Sequence, residues 1–296
     1  MFKSKLDYKK VYDALVNEFK DYVKKCHLHG AVLGVSGGID STVVAAIAYK
    51  AKEDLLKEGY KFKLLGISMP THTSFENEVF ASIKVRNAFF TDSLSLVIND
   101  PAEGISKAVF GKQEETGHDI WGENNSPETV RLRNGNIKSR TRMVLLYDAA
   151  KAINGIVLGT DNYSEYLLGF STIGGDALFD YCPIQYLWKT EVFGLAKYIE
   201  TLYSLKPGIK DAERCDAVKS SLALKPMDGL GISNDDMEQI GARDYLEVDT
   251  ILYNHINGLE RDPEVTAETE KKVLDRMRWT EYKRNHPVRV PRSAYE

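Results

Sequence analysis

A glycine-rich turn between an apolar strand and an apolar helix limits the folds that are open to this chain. The strand pattern covers 31–35, the turn reads Ser-Gly-Gly-Ile-Asp-Ser over 36–41, and an apolar helix pattern follows directly. Two adjacent glycines permit positive φ angles and the close approach of a ligand, and the N–H groups of a helix N-terminus attract anions. The pattern therefore predicts a phosphate site in an α/β fold. An ordinary tight strand-to-helix turn is the simpler alternative.

Asp40 makes this prediction more specific, because a carboxylate and a bare phosphate repel each other. Its presence indicates a bridging cation such as Mg²⁺. No lysine follows the glycines, so the turn is not a Walker-type P-loop. It resembles instead the PP-loop of the N-type ATP pyrophosphatases, which cleave ATP to AMP and pyrophosphate. That resemblance implies that Asp40 is a magnesium ligand and a catalytic residue, and that ATP is bound by Gly34, Val35, Ser36, Gly37, Gly38, Ile39, Asp40 and Ser41.

Strand and helix patterns alternate along the chain. Apolar residues at three- and four-residue steps predict a first helix from Tyr8 to Val23. Helices between successive strands indicate right-handed crossovers and a parallel sheet. The fold class is therefore α/β, a Rossmann-like doubly wound parallel sheet with flanking helices. Strands are predicted at 31–35, 63–68, 94–98 and 156–159, and further helices from the glycine turn to about 58, at 75–90 and at roughly 136–152.

The length suits a single domain over 1–296 with one large core. Scattered glycines and mixed charges predict an irregular insertion at about 100–125, and the stretch 205–230 is expected to be a mobile loop. Residues 263–296 are expected to form a C-terminal helix and tail. Ligands of such sheets bind at the carboxyl ends of strands, and both the glycine turn and Thr160 follow predicted strand ends.

Composition excludes several classes of function. The net charge of −4 argues against a dedicated nucleic-acid binder, and no apolar run has the length of a membrane span. The N-terminus is charged and lacks the apolar core of a signal peptide. Cys26, Cys182 and Cys215 are scattered and form no CxxC pair, which indicates reduced thiols rather than a metal site or disulfides. We therefore expect a cytoplasmic protein.

Four further segments narrow the resemblance. They are Asn-Ile-Lys-Ser-Arg-Thr-Arg-Met at 136–143, Gly-Thr-Asp-Asn-Tyr-Ser-Glu at 159–165, Gly-Gly-Asp at 174–176 ahead of Lys189, and Tyr-Lys-Arg at 282–284. In this order the chain resembles the ammonia-dependent NAD synthetases from about 30 to 287. The resemblance implies the adenine nucleotide alpha hydrolase-like fold. It also implies a ligase that forms NAD from nicotinic acid adenine dinucleotide, ammonia and ATP, through an acyl adenylate, with AMP and pyrophosphate as products.

The same resemblance assigns roles to individual residues. Thr160 and Lys189 would contact ATP, and Glu165 would be the second magnesium ligand beside Asp40. Asp176 is the candidate for deprotonating or orienting ammonia, with Lys189 also in a catalytic role. No glutaminase segment precedes the first helix, so ammonia is expected from solution or from a separate protein, and a homodimer is expected. The dinucleotide would be held by Arg140, Asp180, Tyr282 and Lys283.

Several positions depart from the family pattern and leave the substrate contacts open. Ser68, Ser74, Ile173, Gly174 and Tyr282 replace residues that are usual in the family, and two family motifs expected within 207–230 are missing. The chain could therefore be another PP-loop enzyme, such as a tRNA-modifying ligase or a different amide ligase. It could also be a nucleotide-binding relative without catalysis.

Plainer interpretations exist for the individual side chains. The cations between Arg131 and Arg142 could form a solvated helix face, as most charge runs do. Glu165 alone could be a surface carboxylate, and Lys189 a solvent-facing lysine in a first helical turn. A cation at a helix N-terminus is slightly unfavourable, so Lys189 is expected to have an anion close by.

Overall fold

A computed structural model describes residues 1–110, 126–225, 235–284 and 289–294. Within these residues a parallel sheet has four strands, β1 (Gly30–Gly34), β2 (Lys63–Ser68), β3 (Asp92–Ser95) and β4 (Gly155–Leu158). The strand order is β3-β2-β1-β4. In the register, Val32 of β1 lies between Leu65 of β2 and Val157 of β4. The chain order reverses between β1 and β4, which is where ligands bind in doubly wound sheets.

Helices cover both faces of this sheet. The predicted first helix and the helix after the glycine turn are both present, as are the helices predicted near 75–90 and before the last strand. In chain order the helices of the described residues are α1 (Tyr8–Lys25), α2 (Ile39–Lys57), α3 (Glu76–Phe89), α4 (Asn99–Phe110), α5 (Pro127–Ala152), α6 (Tyr163–Leu168), α7 (Lys189–Ser204), α8 (Ile209–Leu222), α9 (Asp236–Ile240), α10 (Tyr245–Ile256), α11 (Ala267–Trp279) and α12 (Glu281–Arg284).

Apolar side chains bury the sheet from two sides. On one side α1, α2 and α7 pack against it, and Phe19 and Val44 are almost completely buried. On the other side α5 packs against the sheet through Met143, Leu146 and Ala150. This two-sided burial confirms the predicted doubly wound α/β class. A separate apolar cluster joins α6, α10 and α11 beside the sheet.

Some boundaries differ from the sequence expectations. The segment 136–143 lies in the middle of α5, because the helix already begins at Pro127. The helix is capped by the hydroxyl of Ser126, which accepts a hydrogen bond from Thr129 N (3.2 Å). The insertion expected at 100–125 begins as helix α4, which buries Ala102; residues 111–125 lie outside the described residues.

The loop expected at 205–230 is also different, since α8 occupies 209–222. Ala217 and Val218 of α8 are buried in the main core, and this burial stabilises the helix. Positions 226–230 lie outside the described residues. The expected C-terminal helix and tail correspond to α11, α12 and a short 3₁₀ turn at Arg292–Ala294. None of the described helices combines the length and apolar character needed to cross a membrane.

Candidate active site

A cleft of about 520 Å³ opens at the carboxyl ends of β1 and β4. It lies where the strand order reverses, as the sequence predicted. Of the predicted site residues, Gly37 and Asp180 do not line it. Those that do are Gly34, Val35, Ser36, Gly38, Ile39, Asp40, Ser41, Arg140, Thr160, Glu165, Asp176, Lys189, Tyr282 and Lys283.

Gly37 shapes the turn from behind the cleft. Its φ of +90° lies in the left-handed region, and a Cβ there would lie 2.6 Å from both the carbonyl oxygen of Glu78 and the nitrogen of Ser82 on α3. Both conditions exclude a side chain at this position. The glycine therefore lets the turn lie directly against the backbone of α3.

Gly38 and the two serines form the floor of the cleft. Gly38 is the N-cap of α2 and has no side chain of its own to cap the first turn of the helix. Ser36 Oγ accepts a hydrogen bond from Gly38 N (3.2 Å) and lies 3.0 Å from Ser41 Oγ. Ser41 Oγ also donates to the Gly38 carbonyl (3.0 Å). The turn is thus ordered by its own hydroxyl groups, in a form suited to bind phosphate oxygens.

Three predicted residues meet at the mouth of this turn. The ammonium nitrogen of Lys189 lies 2.6 Å from Asp40 Oδ2 and 2.9 Å from Glu165 Oε1. Lys189 is buried at the first turn of α7, whereas Asp40 and Glu165 begin α2 and α6. Their side chains converge although 149 positions separate Asp40 from Lys189. The anion expected beside Lys189 is therefore provided by the protein itself.

Asn162 was not singled out from the sequence, yet it fixes both carboxylates. Its amide nitrogen donates to Asp40 Oδ1 (3.0 Å), and its side-chain oxygen accepts from Glu165 N (3.0 Å). The second bond caps α6 and is reciprocated by Glu165 Oε2, which accepts from Asn162 N (3.4 Å). An asparagine three positions before a glutamate is a recognisable capping box, and this pattern could have identified it.

Around the Lys189 ammonium, negative charge is in excess, because Asp40, Glu165, Asp161 and Asp176 all interact there. Burial raises the pKa of Glu165, although the adjacent Lys189 ammonium opposes the shift. Burial, together with repulsion from Asp176, Glu165 and Asp40, raises the pKa of Asp161 well above its usual range. Burial alone would lower the pKa of Lys189, but the two carboxylates outweigh it and keep the ammonium protonated. This cluster of carboxylates around Lys189 favours the binding of an additional cation.

Asp176 also lines the cleft, where a residue of α5 holds it in place. Ser139 Oγ donates to Asp176 Oδ1 (2.7 Å), and Thr172 N donates to the same oxygen (2.9 Å). Ser139 Oγ in turn accepts from Asp176 N (3.0 Å). A Cβ on Gly175 would lie 2.2 Å from Ser139 Oγ, so the glycine before Asp176 permits this contact. Ser139 is a supporting residue that the sequence did not indicate.

The predicted dinucleotide contacts divide into two groups. Arg140 Nε donates to the carbonyl of Ile173 (3.1 Å), and Lys283 Nζ donates to the carbonyls of Gly169 (2.8 Å) and Ser171 (2.6 Å). Burial lowers the pKa of Lys283. These two side chains and the exposed Tyr282 lie at the rim of the cleft.

Asp180 lies elsewhere. Its Oδ2 accepts from Val157 N (2.8 Å) and its Oδ1 accepts from the Tyr147 hydroxyl (3.3 Å). In this chain Asp180 therefore anchors β4 to α5, and the structure does not bring it into the cleft. The prediction that it binds the dinucleotide is not supported by this position. The position of Asp180 in the sequence could not distinguish substrate binding from a structural role, because its partners lie on β4 and α5.

A glycine-rich turn at the switch point of a parallel sheet, beside two carboxylates and a buried lysine, is the arrangement of a PP-loop fold. The chain matches the family model described as NAD synthase over residues 11–287, and it belongs to that family.

Curated relatives agree over nearly the full chain. The NH(3)-dependent NAD(+) synthetase of Thermococcus sibiricus is 32% identical over 289 residues, which cover 96% of this chain and 97% of the relative. The enzyme of the same name from Fusobacterium nucleatum is 30% identical over 293 residues, covering 97% and 98%.

Solved structures agree with the fold. The NH3-dependent NAD synthetase from Campylobacter jejuni, in complex with the nitrate ion, superposes with a TM-score of 0.69 at 24% identity, covering 97% of this chain and 100% of that one. The NMN synthetase from Francisella tularensis superposes with a TM-score of 0.75 at 24% identity, again covering 97% and 100%.

Proposed function

We propose that this chain catalyses the ATP-dependent amidation of nicotinic acid adenine dinucleotide by ammonia, which forms NAD, AMP and pyrophosphate. The observation that carries the proposal is the convergence of Asp40, Glu165 and Lys189 on the phosphate-binding turn. Membership of the NAD synthase family supports the choice of substrate. A nucleotide-binding relative without catalysis would not need this pair of carboxylates.

The first step activates the acid. An ionised carboxylate resists attack by an amine, so a carboxylate oxygen of the substrate attacks the α-phosphorus of ATP and pyrophosphate leaves. The N-terminus of α2 and the hydroxyls of Ser36 and Ser41 bind phosphate oxygens and orient the leaving group. When Asp40 and Glu165 release the Lys189 ammonium, Lys189 can bring its positive charge to the phosphates.

Mg²⁺ fits the residues that are present. Among the described residues no group of three or more histidine, cysteine or carboxylate ligands forms a complete metal site. Mg²⁺ commonly binds through one or two carboxylates and the phosphates of its nucleotide, and Asp40 and Glu165 supply two such oxygens. Asp40 and Glu165 would hold the ion, which would neutralise negative charge on the leaving pyrophosphate.

The second step forms the amide. Ammonia attacks the acyl carbon of the adenylate, AMP leaves, and one proton must be taken from the attacking nitrogen. Asp176 is the residue that we propose orients ammonia and accepts that proton. Both bonds that hold it, from Ser139 and Thr172, end on Oδ1, so among the described residues Oδ2 is the oxygen offered to the cleft.

Arg140, Tyr282 and Lys283 are proposed to contact the dinucleotide at the rim of the cleft. A homodimer and a cytoplasmic location remain predictions from the resemblance and from the scattered cysteines. Because the replaced positions Ser68, Ser74 and Ile173 line the cleft, the assay also compares a shorter acid as substrate.

One assay tests the proposal. The purified chain is incubated with ATP, Mg²⁺, ammonium and the dinucleotide acid, and we expect NAD, AMP and pyrophosphate in equal amounts. Nicotinic acid mononucleotide, which has the same carboxylate and lacks the adenylate half, is the comparison substrate. Formation of ADP and orthophosphate would contradict the mechanism. Binding without turnover would favour the non-catalytic alternative, and Asp40→Asn serves as the inactive control.

A further inference from the structure

A carboxylate outside the cleft is buried directly behind two of the site residues. Asp249 of α10 has no solvent exposure and does not line the cleft. Its Oδ1 accepts a short hydrogen bond from Ser164 Oγ. Its Oδ2 accepts from both Thr190 N (2.9 Å) and Thr190 Oγ1 (2.7 Å). Three donors thus compensate the burial of one carboxylate.

The partners of Asp249 are the immediate chain neighbours of the site residues. Ser164 precedes Glu165, and Thr190 follows Lys189. Ser164 Oγ also accepts a hydrogen bond from Lys189 N (2.9 Å). The network therefore connects α6, α7 and α10 behind the point where Lys189 meets Glu165.

Part of this arrangement has an ordinary structural explanation. Trp188, the N-cap of α7, provides no side-chain cap bond, and Asp249 accepts from an N–H of the first turn in its place. A cap explains the bonds to Thr190. It does not explain why the other oxygen accepts from Ser164 on a different helix.

We propose that Asp249 is a positioning residue, which links Ser164 to Thr190 and so fixes the separation of Glu165 and Lys189. The inference rests on the proposed function of the cleft. Without the link, α6 and α7 can shift relative to each other, and the carboxylate and the ammonium no longer meet the phosphates in a fixed arrangement.

The variant Asp249→Asn distinguishes the bonds to Thr190, which cap α7, from the bond to Ser164 on α6. The single amide oxygen can still accept from Thr190, which preserves the cap. The amide NH₂ then faces Ser164 Oγ, so the charge-assisted hydrogen bond that Ser164 donates is replaced by a weaker, neutral one that it accepts. We expect the KM for ATP to rise about tenfold at saturating Mg²⁺, with the KM for the dinucleotide acid within about twofold of the wild-type value.

Two further variants make the test decisive. Ser164→Ala removes the link and leaves the bonds between Asp249 and Thr190, so it should show the same rise in the KM for ATP even if Asp249→Asn fails to fold. The matched control is Thr250→Val, since Thr250 is the next residue of α10, is buried, and hydrogen-bonds to Phe2 N (2.8 Å) and the Leu246 carbonyl (2.6 Å) rather than to Ser164 or Thr190. It should lower the melting temperature and leave the KM for ATP unchanged.

Calorimetric titration with ATP keeps this inference separate from the proposed function. If the wild-type chain binds ATP without turnover, the proposed function fails, and the dissociation constants of the three variants still test Asp249. Wild-type ATP affinity and KM in both Asp249→Asn and Ser164→Ala would overturn the inference. An equal loss in Thr250→Val would also overturn it.

Discussion

Lys189→Met removes the positive charge from between two carboxylates. Asp40 Oδ2 and Glu165 Oε1 lie 2.6 and 2.9 Å from the same nitrogen, so they are at most 5.5 Å apart. At an effective dielectric constant of about 20, two unit charges at that distance repel each other by about 3 kcal/mol. The free energy of unfolding at pH 8 should fall by about that amount, which agrees with about 3–5 kcal/mol for breaking a buried ion pair.

The assay is thermal unfolding at pH 8 with and without Mg²⁺, in the absence of nucleotide. A loss of about 3 kcal/mol should lower the melting temperature by roughly 5–10 °C in a chain of this size. Because Mg²⁺ can replace the lost ammonium between the carboxylates, it should raise the melting temperature of Lys189→Met more than that of the wild-type chain.

The control is Lys52→Met. Lys52 is also buried, but its ammonium donates to the Thr91 hydroxyl (2.7 Å), and neither residue lines the cleft. Its replacement should produce no gain from Mg²⁺. An identical Mg²⁺ response in the wild-type chain and Lys189→Met would refute the reasoning, as would unchanged stability of Lys189→Met at pH 8.

Three further predictions concern the turn, the rim and pH. Gly37→Ala should lose at least about 2 kcal/mol of stability and most ATP affinity, whereas Gly59→Ala, at a φ of +79° with open space, should lose only about 1 kcal/mol in denaturant titrations. Arg140→Ala should raise the KM for the dinucleotide acid more than it slows ATP–pyrophosphate exchange; equal losses would reassign Arg140 to ATP. Burial raises the pKa of Asp249 to about 6, so the folded state retains a proton that the unfolded chain releases above about pH 4. Asp249 therefore contributes most below pH 4, and the stability difference between the wild-type chain and Asp249→Asn should fall by up to about 3 kcal/mol as pH rises to 6; a pH-independent difference would contradict this.

The parts of the site that depend on local sequence were predictable. The glycine turn, the N-terminus of α2 and Asp40 lie within eight successive positions, 34–41, and their geometry is set by backbone rules. Glu165 and Lys189 became candidates through the resemblance to a family. Their mutual contact was not predicted, because it depends on how α6 and α7 pack.

Other features of the chain could not be predicted for the same physical reason. Asp180 was assigned to the substrate, but its partners Val157 and Tyr147 come from β4 and α5. Asp249 was not recognised, because nothing in its neighbourhood in the sequence indicates its contact with Ser164, 85 positions away. Helix α8 was not predicted, because it is stabilised by the burial of Ala217 and Val218 against elements distant in the sequence.

Helix α5 has a consequence for how activity responds to heat. Its 26 residues span about 39 Å as one continuous helix. Ser139 and Arg140 project from it into the cleft, while Leu146, one to two turns further along, packs in the core, 3.3 Å from where a Cβ on Gly34 would lie. The same continuous helix thus lines the cleft and packs in the hydrophobic core. We therefore expect the proposed activity to be lost over the temperature range in which that core melts.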